Sequence, residues 1–262
     1  MPAYNEEKSL PSLLKKIDHV MAESNWEYKV IVCDDGSQDR TRELLAEYAQ
    51  LLPLDILCHK INRGLGETER DLFEYVAEIS HPEDVIVRLD CDDTHEPHFI
   101  PHLVSRLNKG FDVVIASRFQ PGGGQLGVSA YRAFISWCAN LFMKFFFPIQ
   151  GVREYSCGFR AYRAELIKEA IAFYGNNFLQ LKGLGFTGTL EKLIKLKMLG
   201  ATFSEVPFVL RYDQKQSASK MIGSITTLGY MVMTIMYHWP WGGWRTAIKR
   251  KHRDWRVTND RP

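Results

Sequence analysis

Residues 28–59 read YKVIVCDDGSQDRTRELLAEYAQLLPLDILCH, and this stretch decides the fold class. A short β-rich run, YKVIVC, passes into the acidic loop DDGS. A helical run follows it, and LDILCH is a second β-rich run. A strand, a helix and a strand in this order form a right-handed βαβ unit, in which the two strands are parallel. The stretch therefore predicts an α/β protein.

The same alternation continues on both sides of this unit. Apolar residues at helical spacing predict further helices over residues 7–22, 64–79, 97–109, 131–149, 164–173 and 189–199. Short β-rich runs predict strands over residues 84–89, 112–116 and 201–210. We therefore expect a mostly parallel sheet flanked by helices, in a domain that covers residues 1–221.

The composition excludes several classes of protein. The chain has 262 residues, 33 Lys and Arg against 31 Asp and Glu, and 45% apolar residues. This ordinary globular composition excludes disordered, collagenous and disulfide-scaffold proteins. The five cysteines are odd in number and form no CxxC pair, so neither a structural zinc site nor a disulfide framework is indicated. A reducing compartment fits this cysteine usage.

Residues 222–262 differ in character from the rest. An uncharged apolar run over residues 221–237 is short and hydroxyl-rich for a spanning helix, which needs ~20 apolar residues. We interpret it as lying in a membrane interface, with a buried core helix as the alternative. Residues 245–262 carry seven Lys and Arg against two Asp, which suits an anionic membrane surface, nucleic acid or simply solvent.

Acidic clusters follow two of the predicted strands. Asp34 and Asp35 follow the strand at 28–33, and Asp90 and Asp92 follow the strand at 84–89. Parallel sheets bind ligands beyond the carboxyl ends of their strands. Two carboxylates separated by one residue can reach one hard cation, which in turn binds a diphosphate. Each cluster by itself is equally typical of an ordinary acidic turn.

Four motifs occur together and in order: PAYNEE at 2–7, DDGSQDRT at 34–41, NRGLG at 62–66 and DCDD at 90–93. This combination resembles the nucleotide-sugar half of family 2 glycosyltransferases, which have the Rossmann-like GT-A fold. The motifs SRF at 117–119, GGG at 122–124 and GFRAYR at 158–163 follow, together with Arg132 and Ser136. They resemble the group of dolichyl-phosphate mannosyltransferase and other polyprenyl-phosphate glycosyltransferases.

The resemblance implies a donor site. The residues that would bind the nucleotide sugar are Pro2, Tyr4, Glu6, Asp34, Asp35, Arg63 and Gly64. Carboxylates among them suit the N–H and O–H groups of base and ribose. Asp90 and Asp92 would coordinate Mg²⁺ or Mn²⁺ on the donor diphosphate, and we count Asp92 among the catalytic residues.

The resemblance also implies an acceptor site. A polyprenyl phosphate is already an anionic nucleophile, so it needs a cationic grip that places its oxygen rather than a strong base. Arg118, Arg132 and Ser136 occupy the matching positions and are the expected catalytic residues on this side. Arginine suits bidentate phosphate contacts. Three further cations are candidates for binding either the donor diphosphate or the acceptor phosphate, and the sequence does not assign them to one of the two: Arg160, Arg211 and Lys220.

These features predict an inverting glycosyltransferase that moves a hexose from GDP-mannose or a UDP-sugar to a dolichyl-type polyprenyl phosphate. Four tryptophans within residues 131–149 and 221–244 favour a membrane–water boundary. We therefore expect a peripheral enzyme on the cytoplasmic face of a membrane. A membrane-protein partner is compatible with this location. Nucleic acid is not expected, because the tail lacks repeated aromatic platforms. The alternatives are a polysaccharide, protein or glycolipid acceptor, or an inactive membrane-docked GT-A binding module.

The first motif has an unusual position. In the resembling family an apolar strand of the parallel sheet precedes the PAYNEE loop, whereas here Met1 stands directly before Pro2. We therefore expect that strand to be absent and the chain to be an N-terminally shortened version of a longer one. The sheet should then show a gap beside the strand at 28–33, with the loop anchored only through the following helix.

Overall fold

The computed structural model describes residues 1–217, 223–239 and 244, and within them the chain is an α/β protein. The strands are β1 (Pro2–Ala3), β2 (Val30–Asp34), β3 (Leu54–Cys58), β4 (Val85–Arg88), β5 (Val113–Ser117), β6 (Gly124–Leu126), β7 (Arg160–Arg163), β8 (Phe203–Pro207) and β9 (Val209–Arg211). The helices are α1 (Leu10–Ser24), α2 (Thr41–Tyr48), α3 (Leu65–Ile79), α4 (Ile100–Leu107), α5 (Ala130–Phe146), α6 (Ala164–Tyr174), α7 (Gly188–Met198) and α8 (Gly223–His238). Short 3₁₀ helices cover Pro97–Phe99, Gly175–Phe178, Gly185–Thr187 and Tyr212–Gln214.

The described strands form a three-stranded sheet β1-β2-β3, a four-stranded sheet β4-β7-β5-β8 and the pair β6-β9. All strand pairs are parallel except those of β7, which runs antiparallel between β4 and β5. The predicted sheet with flanking helices is confirmed, with the ends of the elements shifted. Two differences concern strands: β6 and β7 were not predicted, and the strand expected at 201–210 is divided at Phe208 into β8 and β9.

The first strand is present but has only two residues. Pro2 and Ala3 of β1 pair with Cys33 and Asp34, at the C-terminal end of β2. The Met1 amino group also donates to the Ile31 carbonyl at 2.7 Å, so the expected gap along the whole strand at 28–33 is not observed. The loop after β1 is held by this pairing as well as by α1, so the expectation that the helix alone anchors it is wrong.

Burial of one face of each helix fixes the helices on the sheets. The helix α1 buries Leu10, Leu13, Leu14 and Ile17, a spacing that places all four on one side. The helix α5 differs, because only Asn140 and Met143 along it are buried. Most of the apolar side chains of α5 therefore remain available to something other than the core.

The loop after β2 packs directly on the loop after β3. Gly36 has a φ of +71°, and a Cβ at this position would lie 2.5 Å from the carbonyl carbon of Ile61. Residues with a side chain avoid both this φ and this distance. The close approach of the DDGS and NRGLG loops therefore requires glycine at position 36.

We expect Gly36→Ala to lower the free energy of unfolding by ~2–4 kcal/mol, because left-handed strain and overpacking add together. Gly110→Ala is the matched control, since Gly110 also has a positive φ of +98°, but a Cβ there would meet nothing within 4 Å. The control should lose only ~1 kcal/mol. Equal losses in urea unfolding of the two variants would show that the approach to Ile61 is not constraining.

Candidate active site

Asp35 fastens the NRGLG loop to the end of β2. Its side chain is buried, and its two carboxylate oxygens accept hydrogen bonds from the backbone N–H groups of Arg63 at 2.8 Å and Gly64 at 2.9 Å. Three residues of the predicted donor site therefore lie together. The bonds that join them are internal to the protein, so Asp35 shapes the loop.

His59 completes this corner and was not found from the sequence. Its Nδ1 lies 2.6 Å from Asp35, and its Nε2 lies 3.0 Å from Asp71 on α3. The Arg63 guanidinium also contacts Asp71, at 2.7 Å. His59 ends the predicted strand at 54–59, and nothing in its spacing distinguishes it from an ordinary loop histidine.

The PAYNEE and DDGSQDRT motifs hold each other through reciprocal hydrogen bonds. Asn5 N–H donates to the Ser37 hydroxyl at 2.9 Å, and Gln38 N–H donates to the Asn5 side-chain carbonyl at 2.8 Å. Glu6 N–H donates to the Thr41 hydroxyl at 2.8 Å. The two motifs therefore form one rigid platform at the ends of β1 and β2.

The remaining predicted donor residues lie on or beside this platform. Pro2 and Tyr4 are half-buried, whereas Glu6 and Asp34 are buried. Asp34 accepts bonds from Ser37 N–H at 3.0 Å and from the Arg42 side chain at 2.9 Å. Asp34 thus shares its carboxylate between its own loop and the exposed side chain of Arg42.

The DCDD motif follows β4, and its carboxylates form ion pairs with nearby cations. Asp90 Oδ1 lies 2.7 Å from the Arg88 guanidinium. Asp92 accepts a bond from the Thr94 hydroxyl at 2.7 Å and contacts the ammonium of Lys215. Burial alone would raise the pKa of Asp92, but Lys215, His95 and the Thr94 hydroxyl together hold it below its usual range. Asp92 is therefore an anion that is paired with Lys215.

The carboxylates of the DCDD motif suit a divalent metal that is shared with a ligand. Nowhere in residues 1–217, 223–239 and 244 do three or more His, Cys, Asp or Glu side chains form a ready metal cluster. The carboxylates of Asp90 and Asp92 are the hard oxygen ligands that Mg²⁺ and Mn²⁺ prefer. These two residues fit a metal that takes its other ligands from a diphosphate and from water.

Lys215 belongs to a segment, residues 211–217, that contacts residues of the predicted donor site and Thr94 beside them. Within it, Arg211 N–H donates to the Thr94 carbonyl at 3.1 Å, and the Ser217 hydroxyl donates to Glu6 at 3.3 Å. The Arg211 side chain pairs with Asp213 at 2.9 Å. Sequence reasoning selected Arg211 and Lys220 but missed Lys215; Lys220 lies outside the described residues.

The predicted acceptor residues lie beyond the end of β5. Arg118 donates to both oxygens of Glu154, at 2.7 and 2.9 Å, and to the Ser136 hydroxyl at 3.2 Å. Burial alone would raise the pKa of the Glu154 carboxyl, but Arg118 and the hydrogen bonds from Ser156 together lower it. Arg132 lies one turn before Ser136 on α5, is exposed, and contacts the Tyr212 hydroxyl.

Arg160 does not join either group. It lies in β7 with 0% exposure and donates to the backbone carbonyls of Thr189 at 2.6 Å and Tyr155 at 2.8 Å. The expectation that Arg160 touches a phosphate is corrected: its guanidinium ties β7 to neighbouring backbone inside the core.

Relatives with curated names are similar in sequence to this chain over most of its length. An undecaprenyl-phosphate mannosyltransferase from Micrococcus luteus is 30% identical over 86% of this chain and 87% of its own length. A dolichol-phosphate mannosyltransferase from Pyrococcus furiosus is 31% identical over 79% of this chain and 54% of its own length. The chain thus spans nearly all of one relative and about half of the other.

Solved structures share the fold at low sequence identity. Glucosyl-3-phosphoglycerate synthase from Mycobacterium tuberculosis, solved with Mn²⁺, UDP-glucose and glycerol 3-phosphate, has a TM-score of 0.56 at 18% identity, over 90% of this chain and 76% of its own. A mannosyltransferase from Pyrobaculum calidifontis, solved with GDP-mannose and Mn²⁺, has a TM-score of 0.51 at 12% identity, over 100% of this chain and 74% of its own. The fold is therefore the GT-A fold.

A family model confirms what the four motifs and the fold indicate. It is described as glycosyl transferase family 2 and matches residues 1–171, which is more than half of the chain. This match covers all four donor motifs together with Arg118, Arg132 and Ser136. The chain is a glycosyltransferase that belongs to family 2.

Proposed function

We propose that this glycosyltransferase moves a hexose, with inversion, from GDP-mannose or a UDP-sugar to a dolichyl-type polyprenyl phosphate. One observation carries the proposal. Residues 212–215 contact Arg132 through Tyr212 and Asp92 through Lys215, which supports a single site that includes Asp92 and Arg132. The names of the Micrococcus luteus and Pyrococcus furiosus relatives state a mannosyl group and a polyprenyl phosphate, which supports the transferred sugar and the acceptor class of this proposal.

The donor side needs charge neutralisation. In the proposal, Asp90 and Asp92 hold Mg²⁺ or Mn²⁺, which when bound withdraws charge from the departing nucleoside diphosphate. Thr94 fixes the orientation of the Asp92 carboxylate through its hydroxyl. The platform of PAYNEE and DDGSQDRT binds base and ribose.

The acceptor side needs placement. A phosphate monoester oxygen attacks the anomeric carbon while the bond from that carbon to the diphosphate breaks, and the electron pair leaves with the nucleotide. Arg132 is exposed and binds the incoming phosphate, while Arg118, held by Glu154, sets the Ser136 hydroxyl beside it. Fixing the two reactants in line supplies much of the catalysis without a strong base.

The lipid acceptor implies a membrane surface, which α5 and α8 suit. Exposed apolar side chains on α5 include Phe134, Trp137 and Phe145, and those on α8 and directly after it include Ile235 and Trp239. No helix in the described part of the chain is long and apolar enough to cross a bilayer. We place the protein peripherally on the cytoplasmic face, with α5 carrying both the apolar surface and Arg132.

The residues after α8 fit the same arrangement. The basic stretch 245–262 lies outside the described residues, so its contribution is proposed from sequence. Each Lys or Arg close to anionic lipid contributes ~1 kcal/mol of attraction. A membrane-protein partner would bind the same exposed face.

We expect Asp92→Asn to reduce sugar transfer at least ~100-fold without unfolding the protein, because the charge of the metal-binding pair is halved. The measurement is transfer of labelled sugar, from a panel of GDP- and UDP-sugars, to polyprenyl phosphate. Asp18→Asn is the matched control, since Asp18 is exposed and binds Tyr28 on the outer side of α1. Transfer by Asp92→Asn within tenfold of the parent would contradict the donor assignment.

We expect Arg132→Ala to raise the KM for polyprenyl phosphate ~10–100-fold, which is the loss of one charged hydrogen-bonding partner. Nucleotide affinity measured by calorimetry should stay at the parental value. Lys144→Ala removes an exposed cation from the same helix and is the control. An unchanged lipid KM, or transfer only to a polysaccharide, protein or glycolipid acceptor, would reject the lipid-phosphate proposal.

We expect Trp137→Ser combined with Phe145→Ser to weaken flotation with anionic liposomes, because each change removes apolar area from the membrane-facing surface. Phe173→Ser is the control, since Phe173 is a similarly exposed aromatic residue on α6. Removal of residues 222–262 should weaken flotation further, and added salt should weaken it in the parent. Equal flotation of all variants would overturn the placement of α5 at the membrane.

A further inference from the structure

Arg88 connects the donor carboxylate Asp90 to the protein core. It is the last residue of β4 and is 6% exposed. Its Nη2 lies 2.7 Å from Asp90 Oδ1 and 2.8 Å from Glu69 Oε1, and its Nε donates to the same Glu69 oxygen at 2.9 Å. One guanidinium therefore joins a buried carboxylate to the partly exposed carboxylate of the DCDD motif.

Glu69 is fixed from its other side. It lies on α3, is 1% exposed, and accepts a bond at 2.6 Å from Lys192 on α7. The Lys192 ammonium also lies 4.6 Å from the centre of the Phe73 ring. Burial alone would raise the pKa of Glu69, but Lys192 and Arg88 more than offset this and lower it to about 2. Glu69 is therefore an anion at neutral pH.

The charges along the series of contacting side chains Lys192, Glu69, Arg88 and Asp90 alternate in sign. Lys192 already compensates Glu69, so the buried charge of Arg88 needs a second anion, and Asp90 supplies it. The guanidinium also lies close against the backbone of Gly158, since a Cβ at that position would be 2.0 Å from Arg88 Nη1. The two contacts with Glu69 thus hold the guanidinium, and its Nη2 in turn contacts the Asp90 carboxylate.

We infer that Arg88 is a positioning residue of the donor site, held in place by the Lys192–Glu69 pair. It orients the Asp90 carboxylate before metal and diphosphate bind. The inference rests on the proposed function in one respect, that Asp90 is a ligand of the donor metal. Partners that orient metal ligands typically contribute a factor of ~10–100 in metal affinity.

The sign of the effect separates positioning from simple charge compensation. A cation beside a metal-binding carboxylate repels the metal, so compensation alone predicts tighter metal binding once Arg88 is removed. Positioning predicts weaker binding. Arg88→Met is suitable because Lys192 and Glu69 remain paired in the core after the change.

The experiment titrates Mn²⁺ into the protein of residues 1–262 with GDP or UDP present, by calorimetry and by the electron paramagnetic resonance signal of free Mn²⁺. We expect Arg88→Met to weaken Mn²⁺ binding at least ~10-fold with an unchanged melting temperature to within a few degrees. Arg163→Met is the matched control, since Arg163 ends the neighbouring strand β7 and donates to backbone carbonyls of Phe111 and Leu107. Unchanged or tighter binding in Arg88→Met would overturn the inference.

Further variants separate the possible failures. If Asp90→Asn binds Mn²⁺ and nucleotide as the parent does, the donor-site proposal fails; if Asp90→Asn loses binding and Arg88→Met does not, only the positioning role fails. Arg88→Lys keeps the charge but cannot span both carboxylates, so it should weaken binding too, and it serves if Arg88→Met does not fold. Glu69→Gln should weaken Mn²⁺ binding when Arg88 is present, but should cause no further loss when it is added to Arg88→Met. A further loss of Mn²⁺ binding in the double variant would show that Glu69 does not act through Arg88.

Discussion

The site depends on backbone N–H groups in the loops that follow β1, β2 and β3. No neighbouring strand in the described part of the chain offers carbonyl acceptors to these groups, so side chains must accept their hydrogen bonds. Asp35 satisfies two such groups in the NRGLG loop, Asp34 satisfies one in its own loop, and the Ser37 and Thr41 hydroxyls accept from the loop after β1. Because a buried unpaired N–H costs ~1–3 kcal/mol, these side chains are required by the loops themselves. Much of what resembles a ligand-binding motif is therefore the framework that shapes a binding surface.

This explains which predictions from sequence succeeded. The alternation of strands and helices predicted the parallel sheets, since burial of one face determines both periodicities. The fold and the family followed from the order of the motifs. The strand β7 was missed because RAYR is short and half charged, although Arg160 and Arg163 turn their charges to backbone carbonyls. Local pattern contains no signal for a buried arginine that finds its partners elsewhere in the chain.

Sequence reasoning selected Asp90, Asp92 and Arg118 as candidates because of their residue types just after predicted strands, and the structure places all three just after strands β4 and β5. The candidate site was not predictable where partners come from distant positions. Lys215 reaches Asp92 from 123 positions away, and Lys192 reaches Glu69 from an equal distance along the chain. Such pairs form because burial makes each charge require an opposite one, and only the fold says which are neighbours. His59, between Asp35 and Asp71, is a third case.

The bonding between the PAYNEE and DDGSQDRT loops has a consequence for hydrogen exchange. Surface loops ordinarily exchange their amide protons early, since they open with little free energy. Here the amides of Asn5, Glu6 and Gln38 are bonded to side chains of the opposite loop, so they open only when the two loops separate. Their protection should therefore match that of strand β2, and these loops belong to the same cooperative unfolding unit as the sheet that carries them.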